Sequence, residues 1–224
     1  MYVNDMQSAL SVRNEGICIN DIRLLLLFYA DDCVLLSETP EGLQLLIDDL
    51  RAYCLKWKLT INTDKSKIIV FKKGNRPFNY VWKFDDDILS TCTKIKYLGN
   101  MFASNGSSYQ TQYTLAEQAG KAVFLLYRRI NATFRNIGPL FMMDLFDKFI
   151  EPILSYGCEV WGFHPSNDIE KVHLKFCKNI LGVRQNTQNE CVYGELGRMP
   201  LQIKRYIRII KYWLDIIMGK NRSW

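Results

Sequence analysis

The chain of 224 residues is 48% hydrophobic, enough apolar side chain for one large or two small packed domains and too much for a disordered tail. Its most apolar long stretch, 137–154, is broken by Asp144, Asp147, Lys148 and Glu151. It therefore lacks the run of about eighteen apolar residues that a membrane span requires. The net charge of +6 is uneven: residues 1–111 hold 13 Lys+Arg and 13 Asp+Glu, whereas residues 112–224 hold 16 and 10. An excess confined to the second half suits either a polyanionic partner or a merely solvated basic surface.

The first ten residues lack the basic start and apolar core of a signal peptide, so an intracellular location is expected. Seven cysteines without a Cys-x-x-Cys pair agree with that, and His164 and His173 are poor support for a structural zinc site. Residues 1–21 read as a short polar helix or loop, with a turn at Asn14, Glu15 and Gly16 before the apolar segment Ile17 to Ile19.

In the stretch IRLLLLFYADDCVLLS, the apolar runs Leu24 to Tyr29 and Cys33 to Leu36 have the length of short buried strands, and Asp31 and Asp32 lie between them. Neighbouring strand residues point to opposite faces, so both acids reach one site only if the chain turns between Ala30 and Cys33. The expectation is a hairpin with acids at its tip. Paired carboxylates repel unless a cation lies between them, and hard oxygen donors suit Mg²⁺ or Mn²⁺. An ordinary polar turn is the other reading of the same dipeptide.

Thr39, Pro40 and Glu41 make a helix start, with a capping oxygen, proline at the first position and an early acid. Leu43, Leu46, Ile47, Leu50, Tyr53, Cys54 and Trp57 then recur at helical spacing, predicting an amphipathic helix laid on a sheet. A polar turn at Asn62 to Lys65 leads to a strand from Ile68 to Phe71, and the mixture indicates an α+β layer. Further strands are expected at Val81 to Phe84, at Ile88 and Leu89, and through KIKYLGNMF. Asp85, Asp86 and Asp87 read as a solvated turn, because consecutive acids splay apart and nothing nearby completes a coordination shell.

Beyond the loop at Asn105 to Ser108 the pattern is helical: Gln112 to Phe134, Leu140 to Leu154, Ile169 to Leu181 and Leu201 to Met218. A boundary near residue 108 follows. His173 falls on an apolar face as a core-edge residue. The last helix sets Ile203, Ile207, Ile210 and Leu214 on one side and Lys204, Arg208 and Lys211 on another, a basic stripe able to meet phosphates or simply water.

FYADD between apolar strands, then INTDKSKIIVF, then KYLG, resemble in order the later palm motifs of reverse transcriptases, specifically those of non-LTR (LINE-type) retrotransposons. IEPILSYGCEVWG, FCKNILGV and ELGRMPL are similar to segments downstream of that palm, so the resemblance runs from Tyr29 to Lys211. It implies an α+β fold: a partial palm over residues 1–108, an antiparallel sheet with a packed helix, then a helical thumb-like region over 109–224. It also implies RNA-directed DNA polymerase chemistry with Mg²⁺ or Mn²⁺, an RNA template and a DNA primer as partners, and a nuclear location for a functional chain; that no membrane is involved is expected from the broken apolar stretch alone.

By the same resemblance Asp31 is a metal ligand and Asp32 supports the site, while Lys65 acts near the triphosphate or gives a proton to pyrophosphate. Tyr97, Leu98 and Gly99 match the primer grip, and Lys204, Arg208 and Lys211 lie in a region that holds nucleic acid through its phosphates. The family's other metal-binding Asp, on a strand before the hairpin, and its fingers region find no match here, and Asp5 and Asp21 stand in the wrong context. The expectation is a fragment that does not polymerise alone and lacks an N-terminal polymerase half. The alternatives are a non-catalytic RNA/DNA-binding module and a structural domain without nucleic acid.

Overall fold

The computed structural model describes residues 5–10, 15–72, 74, 79–133 and 137–219; Asn14 of the expected first turn and Phe134 of the expected first long helix lie outside them. The chain divides into two units, Met1–Ile95 and Lys96–Trp224. The division falls before the expected boundary near residue 108, because the last strand, Asn100–Ala103, packs with the helix that follows it.

Helix follows strand in the first unit: α1 (Met6–Leu10), β1 (Ile17–Ile19), β2 (Ile22–Leu24), β3 (Leu26–Tyr29), β4 (Asp32–Leu35), α2 (Pro40–Trp57), β5 (Lys67–Ile69), β6 (Lys83–Phe84), β7 (Asp87–Ile88) and β8 (Ser90–Cys92). The helix start is as the sequence predicts. The Thr39 side chain accepts a hydrogen bond from the Gly42 amide at 3.0 Å, with Pro40 inside the first turn. Lys58, in the left-handed region at φ 54°, ends the helix.

Helix α2 buries two stripes. Leu46, Leu50, Tyr53 and Cys54 pack with Met6, Leu10 and Leu25, while Ile47 packs with Ile68, Trp82 and Leu89. Polar contacts fix the same partners. Tyr53 donates to Asp5, and the Trp82 indole donates to the Pro40 carbonyl at 3.0 Å. Gln44 accepts from the Lys83 amide at 2.9 Å and donates to the Lys83 carbonyl at 2.8 Å.

The expected antiparallel palm sheet is not continuous among the described residues. Strands of two to four residues form separate pairs, β1 with β2, β3 with β4 and β6 with β7, each antiparallel, and β5 with β8 in parallel, Ile68 facing Thr91. Where tight turns join strands this short, as in the three antiparallel pairs, each finds its hydrogen bonds in the nearest neighbour.

Strand β9 (Lys94–Tyr97), which spans the division, pairs with β10 (Asn100–Ala103), and the rest of the second unit is helical: α3 (Tyr109–Thr133), α4 (Pro139–Leu145), α5 (Glu151–Leu154), α6 (Cys158–Trp161), α7 (Asn167–Leu181), α8 (Asn189–Leu196) and α9 (Leu201–Ile217). A π-helical turn, Phe146–Ile150, joins α4 to α5. Phe146, Ile150, Leu154, Cys158, Ile169 and Phe176 are fully buried at the centre. His173 is not at the core edge but inside it, 0% exposed and stacked on Phe146 with ring centroids 5.0 Å apart.

Charge as well as apolar packing seats α9. Glu170 accepts from the Leu201 and Gln202 amides at 3.0 and 2.7 Å, which satisfies the helix start. Glu151, nearly buried, accepts from Lys204 at 2.6 Å and from Arg208 at 3.2 Å, and Asp147 is bound by Arg198. Leu201, Arg205 and Ile209 turn inward, so the Ile203, Ile207, Ile210 and Leu214 stripe is left 40–58% exposed.

Burial works to raise the Asp147 carboxyl, but the hydrogen bond from Arg198, with the charges of Arg198 and Lys204, outweighs it and holds the group at about 2. Burial keeps His173 neutral, its pKa pushed down to about 3. For both groups the unfolded chain takes up the proton first, so both favour folding at higher pH. The His173 contribution is complete above about pH 6.5 and is lost as pH falls toward 3; that of Asp147 is complete above about pH 4 and is lost toward 2. Thermal unfolding followed from pH 7 to 2 will show stability declining across both windows. His173→Leu will flatten the upper window and Asp147→Asn the lower. At fixed neutral pH, Thr39→Ala will cost about 1 kcal/mol in denaturant unfolding, the usual value of a lost cap.

Candidate functional site

The β3–β4 register pairs Leu26 with Leu35, Leu27 with Val34, Phe28 with Cys33 and Tyr29 with Asp32. Only Ala30 and Asp31 remain for the connection, with Ala30 in the left-handed region at φ 55°. Asp31 therefore sits in the turn and Asp32 opens β4, so strand alternation does not separate the two acids. Both are exposed.

The strands themselves are not buried as expected. Leu25, Leu26 and Leu35 enter the core against α2 at the base of the hairpin, but Leu27, Phe28 and Tyr29 are 37%, 40% and 63% exposed. The reason is the two-stranded sheet: no third strand covers the ribbon among the described residues.

The acids are hard oxygen donors, and that chemistry fits Mg²⁺ or Mn²⁺. Two such groups fill only part of a coordination shell. Among the described residues no group of three or more His, Cys, Asp or Glu is arranged to hold a metal ion. Asp85 and Asp87 are engaged elsewhere, Asp85 with Arg51 and Asp87 with the Thr63 hydroxyl at 2.8 Å.

Lys65 lies in a turn that Asn62 shapes. The Asn62 side-chain oxygen accepts from the Lys65 amide at 3.0 Å, and its carbonyl accepts from the Ser66 amide and hydroxyl at 3.0 and 2.9 Å. The Lys65 side chain is exposed. In the β9–β10 ribbon the connection is Leu98 and Gly99, both at positive φ, 44° and 82°, the conformation that favours glycine in two-residue hairpin turns. Tyr97 is half-buried and Leu98 is 38% exposed.

Two residues that sequence reasoning missed hold this second ribbon. The Tyr156 hydroxyl donates to the Leu98 carbonyl at 2.8 Å, and the buried Thr111 hydroxyl accepts from the Met101 amide and donates to its carbonyl. The signal was present in part, since KYLG and SYGCEVWG both carry the resemblance, but nothing in the sequence joins them.

The basic stripe of α9 needs correction. Lys204 and Arg208 are bound to Glu151, with Asp147 also 3.5 Å from Lys204, so two of its three cations are neutralised in place. Periodicity could not show this, because the acids lie on another helical segment. Lys211 is exposed.

The family described as reverse transcriptase (RNA-dependent DNA polymerase) matches residues 1–102. A transposon-derived protein of Caenorhabditis elegans is 23% identical over 193 residues, covering 85% of this chain and 67% of its own length. A protein of Drosophila melanogaster named "Probable RNA-directed DNA polymerase from transposon BS" is 25% identical over 170 residues, covering 68% of this chain. This chain spans about two thirds of the first relative and 17% of the second. No solved structure matches. Residues 1–102, which include the hairpin with Asp31 and Asp32, are thus similar to the reverse transcriptase family, and both relatives carry transposon names.

Proposed function

We propose that this chain is the part of a LINE-type reverse transcriptase that carries the metal-binding hairpin and the thumb-like helices after it, and that alone it binds RNA–DNA hybrid without polymerising. The observation that carries the reading is the exposed hairpin tip, Asp31 in the turn and Asp32 beside it, inside the segment that matches the family. Asp31 and Asp32 would hold a divalent ion together with at least one further acid from outside the described residues. A bound Mg²⁺ or Mn²⁺ supplies Lewis-acid stabilisation of the attacking and leaving oxygens in nucleotidyl transfer.

The chain's other residues bind and orient. Lys65, exposed on its turn, offers a mobile ammonium to a triphosphate, and Tyr97, Leu98 and Gly99 brace the primer strand. Lys211 and other exposed cations of the second half meet phosphates, while Lys204 and Arg208 keep α9 in place through Glu151. The charge excess in residues 112–224 also favours a second reading, an RNA/DNA-binding module with no metal role.

Three measurements test these statements. Primer extension by the chain with Mg²⁺ or Mn²⁺ will show no product above background, and robust extension that disappears in Asp31→Asn would overturn the proposed inactivity. Titration with Mn²⁺ under electron paramagnetic resonance will show weak binding that is lost in the Asp31→Asn, Asp32→Asn double variant; identical titrations favour the module without metal. Affinity for an RNA–DNA hybrid will fall at least tenfold between about 50 and 200 mM salt as counterion release weakens. A flat salt response removes the nucleic-acid reading altogether.

A further inference from the structure

The β9–β10 turn is set by a side chain from outside the ribbon. The Tyr156 hydroxyl binds the Leu98 carbonyl, and a Cβ on Gly99 would stand 3.0 Å from Tyr156 Cε1. The approach is reciprocal: Gly157, at φ 65°, lies where a Cβ would come within 3.1 Å of Asn100 Nδ2. Each segment thus places a left-handed glycine where the other's side chain presses in. Tyr156 is itself fixed, because the nearly buried Trp161 indole donates to its carbonyl at 2.9 Å.

The direction of that hydrogen bond has a chemical meaning. Leu98–Gly99 is the central peptide of the two-residue turn, and no peptide bond among the described residues is cis. In a planar trans peptide the carbonyl and the following amide point in opposite directions. A Leu98 carbonyl held toward Tyr156 therefore turns the Gly99 N–H away from it, to the side where Leu98 and Gly99 are exposed. The central peptide of a tight turn takes no part in the ladder, so the Tyr156 hydroxyl supplies its carbonyl with a hydrogen bond that the ribbon itself does not.

We propose that Tyr156 is a positioning residue of the primer-binding turn: it fixes the Leu98–Gly99 peptide so that the Gly99 amide donates to a phosphate oxygen near the primer's 3′ end. The inference rests on the primer-binding role proposed above for Tyr97, Leu98 and Gly99. Tyr156 acts through the peptide and does not itself touch the strand.

The test uses the full chain, fluorescence anisotropy, and three probes: an RNA–DNA hybrid with a recessed primer 3′ end, the same hybrid with neutral methylphosphonates at the terminal primer linkages, and single-stranded RNA. The wild type should prefer the recessed hybrid and lose affinity when the linkages are neutral. Tyr156→Phe, which keeps the ring and removes the donor, should bind the recessed hybrid about five- to tenfold more weakly, bind single-stranded RNA unchanged and show little further loss with methylphosphonates. Gly99→Ala, pressed against the Tyr156 ring, should behave alike. Hydrogen exchange at the Gly99 amide should quicken in Tyr156→Phe while the melting temperature stays within a few degrees.

A Tyr156→Phe chain that keeps both the hybrid preference and the methylphosphonate penalty overturns the positioning role and leaves the primer-binding reading standing. A wild type indifferent to the recessed end overturns the primer-binding reading, and the inference with it.

Discussion

Two-stranded ribbons are marginal in water, because one face and both edges remain open, and they hold a fixed position only when something else pins them. Every paired strand among the described residues belongs to such a ribbon, so the functional geometry here depends on helices. In the first unit the task falls to α2. Its two buried stripes face different strand pairs, one meeting Leu25 and the base of the acidic hairpin, the other meeting Ile68, Trp82 and Leu89. In the second unit Thr111 from α3 and Tyr156 beyond α5 grip the β9–β10 ribbon at separate points. The β3–β4 and β9–β10 turns are therefore supported by side-chain anchors more than by sheet.

The second unit handles its charges by pairing them across long sequence separations. Asp147 and Glu151 lie on and just after the π-helical turn, and their partners Arg198, Lys204 and Arg208 come some fifty residues later. The widened turn sits where these acids meet the cations of α9. Taking Glu151 out of water is costly unless both cations remain in place. Lys204 and Arg208 therefore have an architectural duty that a reading of the helix surface alone assigns to solvent or phosphate. Arg205 is the extreme case, 1% exposed, 3.6 Å from Glu170 and over the Trp161 ring.

What could be read in the sequence was mostly local. The Thr39 cap, Pro40 and the apolar spacing placed α2, and the two aspartates between apolar runs placed the hairpin turn. The long helices followed from periodicity, whereas α6 and α8, with four and eight residues, are too short for a period to register. Exposure was harder to foresee. Leu27, Phe28 and Tyr29 have the composition of a buried strand, and only the missing neighbour in space leaves them open. The partners of the α9 cations and the grip of Tyr156 on Leu98 join residues more than fifty positions apart, information that one sequence does not carry.

Gln44 shows how a single residue can stand in for a strand. Its side-chain amide satisfies both the donor and the acceptor of Lys83, as a neighbouring peptide would in a sheet. The outer rim of β6 is thereby closed by a helix, and a foreign chain seeking to extend the ribbon finds its first pair of docking groups already taken. The first unit thus has, alongside its open acidic hairpin, a strand edge capped at Lys83 by a helix side chain.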